Sequence, residues 1–294
     1  MELAKNELRI SITAACNMKC VYCHNEGNTK MANLTKEQVR KIVEGCNGLG
    51  LRKIRITGGE PLVSPEVEDI CQMLTEEYGI SVEMNTNGIE IEKLMDMISK
   101  GWVKKVVVGM DYFDKSISKN SPVGESSKVI RENILRIKRT GCEIRVATVY
   151  NGEDSNTEKI IKWAVDNGIG IRVLEIVREK TDEKYSEKYM NLQKTISSKI
   201  NLDWHIDEKL EELNGAKDGK VLVKFYHSLC RLGLCNICKK IPFRITSSGI
   251  ARPCILTSKT DIDIFDGDIH ENIIKAMNQN VDINEIRKAE TLKP

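Results

Sequence analysis

Short apolar runs alternate along the chain with segments whose apolar positions recur at helical spacing. The runs read as strands at Leu8–Thr13, Lys53–Thr57, Ile80–Met84, Val103–Met110, Glu143–Val149 and Ile171–Ile176. Helices are predicted between them. Thr35, with Gln38 three residues on, is a capping-box signature ahead of Val39, Ile42 and Val43. Ser64-Pro65-Glu66 offers an N-cap with proline at the first helical position. Further helical patterns lie at about 90–100, 124–140, 155–167 and 183–200. Strands and helices in strict alternation predict βα units around a parallel sheet, an α/β fold. The nearly unbroken apolar run at Val103–Met110 suits a sheet covered on both faces. From about 183 the pattern changes. A charged helix is followed by polar residues 201–220, read as holding no strand. Then come Val221–Tyr226 and a charged tail with one helical pattern at Ile269–Met277. No internal repeat or low-complexity segment stands out.

The unusual residues fall where the strands end. A cysteine loop follows the first strand, Gly58-Gly59-Glu60-Pro61 the second, and Asn85-Thr86-Asn87-Gly88 the third. Asp111 and Asp114 close the fourth, Thr148 lies near the end of the fifth, and Glu175 near the end of the sixth. All six positions share one rim of a barrel-like sheet, the rim on which βα barrels carry their sites.

Composition narrows the class. A net charge of +2 over 294 residues gives no strong pull toward nucleic acid or a membrane surface. No apolar run is long enough to cross a bilayer, and residues 1–7 lack a signal-peptide core, so a cytoplasmic location is expected. Ten cysteines are many for such a protein. Cys46, Cys71 and Cys142 stand alone in apolar-patterned segments and read as small core residues. The other seven are clustered, which in a reducing compartment points to metal or iron–sulfur sites rather than disulfides.

Cys16, Cys20 and Cys23 have the spacing C-x3-C-x2-C. Three thiolates can hold three irons of a cubane and leave the fourth iron for a small molecule, unlike ferredoxin runs with four cysteines per cluster. The competing reading is a zinc knuckle completed by His24. Cys230, Cys235, Cys238 and Cys254 form a second group. Four thiolates suit either tetrahedral zinc or a second cluster. His24, His205, His227 and His270 share no ligand pattern, and His227 reads as a surface or supporting residue.

With the cysteine loop, the rim motifs and the βα alternation together, the chain resembles the radical S-adenosylmethionine (radical SAM) enzymes. The resemblance implies a partial (β/α)6 barrel of TIM type. It also implies a [4Fe–4S] cluster on Cys16, Cys20 and Cys23, and S-adenosylmethionine on the free iron. Tyr22, Gly58, Gly59, Glu60, Asn85, Thr86, Asn87, Asp111, Thr148 and Glu175 are the candidate cofactor contacts. Gly58 and Gly59 would let backbone approach the cofactor's amino group, and Tyr22 would pack near its adenine. A low-potential electron donor of the flavodoxin or ferredoxin type is implied as partner. Residues 1–182 would form the barrel core, 183–220 a helical connector, and 221–294 an auxiliary-cluster extension of the twitch or SPASM type.

A nearer resemblance is to the GTP 3′,8-cyclase family of molybdenum cofactor biosynthesis. It covers about residues 8–177 and again 235–265, and is carried by Cys16–Gly27, Arg55-Ile56-Thr57-Gly58-Gly59-Glu60-Pro61-Leu62, and Arg244 through Cys254. In that family Cys235, Cys238 and Cys254 match the ligands of an auxiliary cluster whose open iron holds the substrate's purine. The sequence departs from the pattern in three places. Cys230 is a candidate fourth ligand. Only Arg244 matches the family's pair of nucleotide-binding arginines. The family's terminal Gly-Gly has no match in Thr291-Leu292-Lys293-Pro294. The departures point to a peptide or small metabolite as substrate, with a nucleotide cyclase as the alternative. A zinc-binding module is the non-enzymatic reading. Arg145 and Arg244 are candidate substrate contacts, though Arg145 could equally lie on a strand face.

Overall fold

Each predicted strand of the core forms in the computed structural model, which describes residues 2–20, 22–24, 30–114, 123–176, 183–210, 212–230, 232–238 and 240–279, without side chains at 123–126 and 183–184. The strands are β1 (Glu7–Ser11), β2 (Lys53–Thr57), β3 (Ser81–Thr86), β4 (Val103–Gly109), β5 (Glu143–Val149) and β6 (Gly170–Leu174). The helices are α1 (Lys36–Gly45), α2 (Val67–Gln72), α3 (Glu92–Ser99), α4 (Val123–Arg139), α5 (Asp154–Asp166) and α6 (Glu183–Lys199). The Thr35 capping box is complete: its side chain accepts from the Gln38 N–H, and Gln38 reaches back to the Thr35 N–H. α2 starts later than Ser64-Pro65 implies, because Pro61–Val63 forms a 3-10 turn whose Leu62 N–H is capped by the Glu60 carboxylate. The tail from Gln279's successor onward, including residues 291–294, lies outside the described residues.

Two further parallel strands extend the core. β9 (Lys220–Tyr226) pairs with β6, and β10 (Arg244–Ile245) pairs with β1. The parallel order is β10-β1-β2-β3-β4-β5-β6-β9. Antiparallel strands flank this partial barrel: β11 (Ile250–Arg252) and β12 (Ile262–Asp263) at one edge, β8 (Glu212–Lys217) and β7 (Asp203–Asp207) at the other. β7 and β8 correct the expectation that residues 201–220 hold no strand. A positive-φ Asp218-Gly219 pair turns β8 into β9. β7 is an edge strand that is exposed along most of its length; its apolar Trp204 and Ile206 alternate with polar residues over only five positions. The supposed connector is therefore a helix followed by sheet that continues the barrel.

Register separates the two faces of the sheet. Ile10, Ile56, Met84 and Val106 lie side by side, with Ile171 and Val223 continuing the face, all 0–2% exposed under the helices. The other face lines the interior of the arc, and it is charged. Arg9, Arg55, Glu83, Lys105 and Glu143 are neighbours across five strands, and Arg172 pairs with Lys224. Glu7 bridges Lys53 and Arg55, Arg55 reaches Glu83 at 2.9 Å, and Lys105 reaches Glu143 at 3.1 Å. Burying so many charges costs free energy unless they are paired. An interior lined this way suits a polar ligand rather than a packed core. Of the lone cysteines, Cys46 and Cys71 are buried as expected, whereas Cys142 is only half-buried.

Candidate active site

The first cysteine group sits on the loop after β1, beside the rims of β2 and β3. No disulfide involves any of the ten cysteines. Burial pushes the Cys20 thiol up to about 11, with Asp111 and Cys23 adding to the effect, and raises Cys16 as well. The loop is held in place through the backbone. The Gly59 N–H donates to the Thr13 carbonyl and the Glu60 N–H to the Ala15 carbonyl, both at 2.8 Å. The two glycines serve this contact. A Cβ on Gly59 would stand 2.2 Å from the Ala15 carbonyl oxygen, and one on Gly58 would stand 2.6 Å from that of Thr13.

Glu60 is turned inward, 2% exposed. Its carboxylate accepts from the Thr86 hydroxyl (2.8 Å), the Leu62 N–H (3.1 Å) and the Asn87 N–H (2.6 Å). Burial raises its pKa, and those hydrogen bonds oppose the rise. Glu60 thus welds the β2 rim to the β3 rim. Asn87 in turn donates to the Asn17 side-chain oxygen at 2.7 Å, inside the cysteine loop. Asn85 shares the interior face with Glu83, and its side-chain oxygen is buried without a partner. An orphaned acceptor facing the interior beside the cysteine loop fits a bound polar cofactor.

Tyr22 donates its hydroxyl to Asp111, whose other oxygen accepts from the Val149 N–H at 2.7 Å. Burial pushes the Asp111 carboxyl up to about 6. Asn156, 1% exposed, donates to the Asp111 carbonyl and accepts from the Phe113 N–H. Tyr22 and Asp111, each a separate candidate from the sequence, are therefore joined to each other. Asp114 pairs with Lys159 on α5 and stays apart. Thr148 is fully buried on the helix-covered face it shares with Val146, away from the interior. Glu175, 4% exposed, accepts from Ser186 (2.9 Å), the Ser228 N–H (2.8 Å) and His227 Nδ1 (3.1 Å). With the Gln193 amide donating to His227 Nε2, Nδ1 carries the proton that goes to Glu175. His227, read from the sequence as a surface or supporting residue, is 7% exposed, because this network ties β6 to the start of the second cysteine segment.

That segment crosses the open side of the arc, running from the end of β9 to the start of β10. Cys235 and Cys238 sit on one helical turn, α7 (Cys235–Cys238). Cys230, Cys235, Cys238 and Cys254 all line one cavity of about 640 Å³, together with Glu2 and Lys5. Burial raises the Cys238 thiol. Cys254 and Cys235 add to the rise, while Arg244 and Arg9 oppose it. The first cysteine group follows the end of β1, whereas Glu2 and Lys5 precede its start. The five residues of β1, about 16 Å of extended chain, lie between the first cysteine loop and these two residues. Among the described residues no three His, Cys, Asp or Glu converge closely enough to share one metal ion. A four-iron cube, by contrast, offers irons to thiolates spread around it.

A second cavity of about 370 Å³ opens on the interior face, lined by Arg145, Arg172, Lys224, His205, Asn214 and Tyr226. Lys224 is paired with Glu212 at 2.7 Å and Arg145 lies 3.4 Å from Glu143. Arg172 has no ion pair among the described residues, and its Nε is buried without a hydrogen-bond partner. Arg145 does lie on a strand face, and that face is the interior. Sequence reasoning missed Arg9, Arg55, Arg172 and Lys224. The available signal was a cation alternating with apolar residues inside otherwise apolar strands, as in Leu8-Arg9-Ile10.

The family model of the radical SAM superfamily matches residues 10–164, more than half of the chain. The chain belongs to the radical SAM superfamily. Curated relatives of this radical SAM enzyme include the GTP 3′,8-cyclase of Alkaliphilus oremlandii, 28% identical over 281 residues, covering 89% of this chain and 84% of that protein. The probable GTP 3′,8-cyclase of Archaeoglobus fulgidus is 28% identical over 301 residues, covering 96% and 94%. Streptococcus suis SuiB bound to S-adenosylmethionine shares the fold at 16% identity, with a TM-score of 0.69 over 96% of this chain and 67% of that one. anSMEcpe with bound AdoMet does so at 18% identity, with a TM-score of 0.65 over 98% and 81%. Membership brings a [4Fe–4S] cluster and S-adenosylmethionine. The relatives favour the nucleotide alternative over the peptide or metabolite substrate expected from the sequence departures. No helix among the described residues is long and apolar enough to cross a membrane.

Proposed function

We propose that this radical SAM enzyme acts on a purine nucleoside triphosphate in a ring closure of the GTP 3′,8-cyclase type, with an auxiliary [4Fe–4S] cluster behind the substrate. The observation that carries the reading is the cationic interior, above all the cavity lined by Arg145, Arg172 and Lys224, where the Arg172 Nε is buried without a hydrogen-bond partner. A buried guanidinium N–H without an acceptor is costly, and phosphate oxygens suit the planar fork of the guanidinium. The full-length similarity to curated GTP 3′,8-cyclases supports the same reading.

Cys16, Cys20 and Cys23 would hold the first cluster; when bound, cluster and cofactor supply a 5′-deoxyadenosyl radical that removes a hydrogen atom from the substrate. Asn85 would offer its orphaned oxygen to the cofactor's donors. Glu60 and Asn87 keep the cysteine loop and the β3 rim in register. Arg145, Arg172 and Lys224 would bind the phosphates and so fix the sugar's distance from the rim. Cys235, Cys238 and Cys254 would hold the auxiliary cluster, with Arg244 and Arg9 offsetting its negative charge. A low-potential flavodoxin or ferredoxin would be the donor.

The test is anaerobic turnover with a chemical reductant and S-adenosylmethionine, quantifying 5′-deoxyadenosine. GTP, ATP and a mixed peptide pool are added separately. The reading expects stimulation by a nucleoside triphosphate. Stimulation by peptides with none by nucleotides would return the substrate to the peptide class.

A further inference from the structure

The four cysteines of the second group pose a question of coordination number. Cys230 lies outside the three positions matched to the cyclase family, yet it lines the same cavity as those three. The local backbone explains how. The Leu232 N–H donates to the Ser228 carbonyl, the Gly233 N–H to that of Cys230, and the Leu234 N–H to that of Leu229. These bonds fold residues 232–234 back onto residues 228–230. Gly233, at φ 67°, makes the turn possible. At its upstream end the turn is anchored by the buried Glu175, which takes both the Ser228 N–H and His227. Cys230 is thus fixed two residues beyond a buried carboxylate network rather than carried on a free loop.

Resting on the auxiliary-cluster reading above, we propose that Cys230 is the fourth ligand of that cluster. All four irons then carry a cysteine thiolate, and no iron is left to hold the substrate's base.

The test isolates the second cluster in the full-length Cys16→Ala/Cys20→Ala/Cys23→Ala variant, reconstituted anaerobically. Iron and zinc content, Mössbauer spectra and the EPR of the reduced cluster are recorded with and without GTP, imidazole or cyanide. The proposal expects about four irons per chain with a cubane's all-thiolate Mössbauer signature, and an EPR signal that none of the three additives moves. Adding Cys230→Ala is expected to make one iron in four distinct and the signal responsive. Cys230→Ser, which keeps an oxygen ligand, is expected to shift the signal while leaving it unresponsive. A cluster that responds to additives with Cys230 in place overturns the proposal and leaves the two-cluster reading standing. So does a Cys230→Ala spectrum identical to its parent. A triple variant that takes up zinc or no iron overturns both, so the two failures are distinguishable.

Discussion

Replacing Gly59 by alanine isolates one physical effect, crowding at the junction of the glycine motif and the cysteine loop. The glycine is not in the positive-φ region, so an alanine brings no left-handed strain. What it brings is a methyl group 2.2 Å from the Ala15 carbonyl oxygen, 2.6 Å from its carbon and 2.8 Å from the Ala14 oxygen. These are backbone atoms and cannot rotate away. Reaching the 3.4 Å of ordinary contact requires the strands to part by about 1.2 Å. Hydrogen bonds of 2.8 Å from Gly59 to Thr13 and from Glu60 to Ala15 then stretch beyond useful range. Two such bonds contribute about 1 kcal/mol each, and overpacking adds about 1–3 kcal/mol. A loss of about 3–5 kcal/mol is expected, concentrated at Ala14–Cys16, where the cysteine loop begins. The assay is iron content after anaerobic reconstitution, paired with thermal unfolding. Gly59→Ala should fall from about eight irons per chain toward about four, with the auxiliary cluster kept, and cofactor cleavage should be lost. Gly109→Ala is the control, since its Cβ meets nothing nearer than 3.8 Å. Full iron loading and normal cleavage in Gly59→Ala would refute the reasoning.

Glu60→Gln should cost about 1–3 kcal/mol in thermal unfolding, because its new amide would face the Asn87 N–H, donor against donor. Asp111 supplies a pH test. Its folded carboxyl titrates at about 6, against an ordinary 3.8, so the folded state binds the proton more tightly. Stability is then highest below the ordinary value and falls as pH rises through the folded one, by about 3 kcal/mol in all. Melting of the apo-protein between pH 4 and 7 should show this slope, and Asp111→Asn should flatten it. Arg172→Ala should raise KM for the nucleotide about 10- to 100-fold, as loss of a charge-assisted contact does. It should leave uncoupled cofactor cleavage unchanged, as measured by 5′-deoxyadenosine formed without substrate.

The core strands were legible because their apolar face is strictly periodic, as in Ile54 and Ile56 of β2. The Thr35 cap was legible because its signature is local. The β7–β8 hairpin was not, since Asp203–Asp207 is exposed along most of its length and its Trp204–Ile206 alternation is too short to stand out from a polar segment. At the site, cysteine spacing announced both thiol groups from short-range sequence alone. The Tyr22–Asp111 contact spans 89 residues, and only the fold brings it together. The charged interior was misjudged for another reason. A cation on a strand reads as a solvated position until register shows that Arg9, Arg55 and Lys105 share the enclosed face. The glycines were flagged for the cofactor, but their tight contacts are with Thr13 and Ala15.

Hydrogen abstraction from the sugar of a nucleoside triphosphate held by the cationic interior would leave an isotopic mark on 5′-deoxyadenosine. It is tested most directly by GTP deuterated at C3′, incubated anaerobically with reductant and S-adenosylmethionine, with the recovered 5′-deoxyadenosine weighed by mass spectrometry. The account predicts 5′-deoxyadenosine one mass unit heavier, formed only when the nucleotide is present. Unlabelled 5′-deoxyadenosine at a rate indifferent to GTP would contradict it.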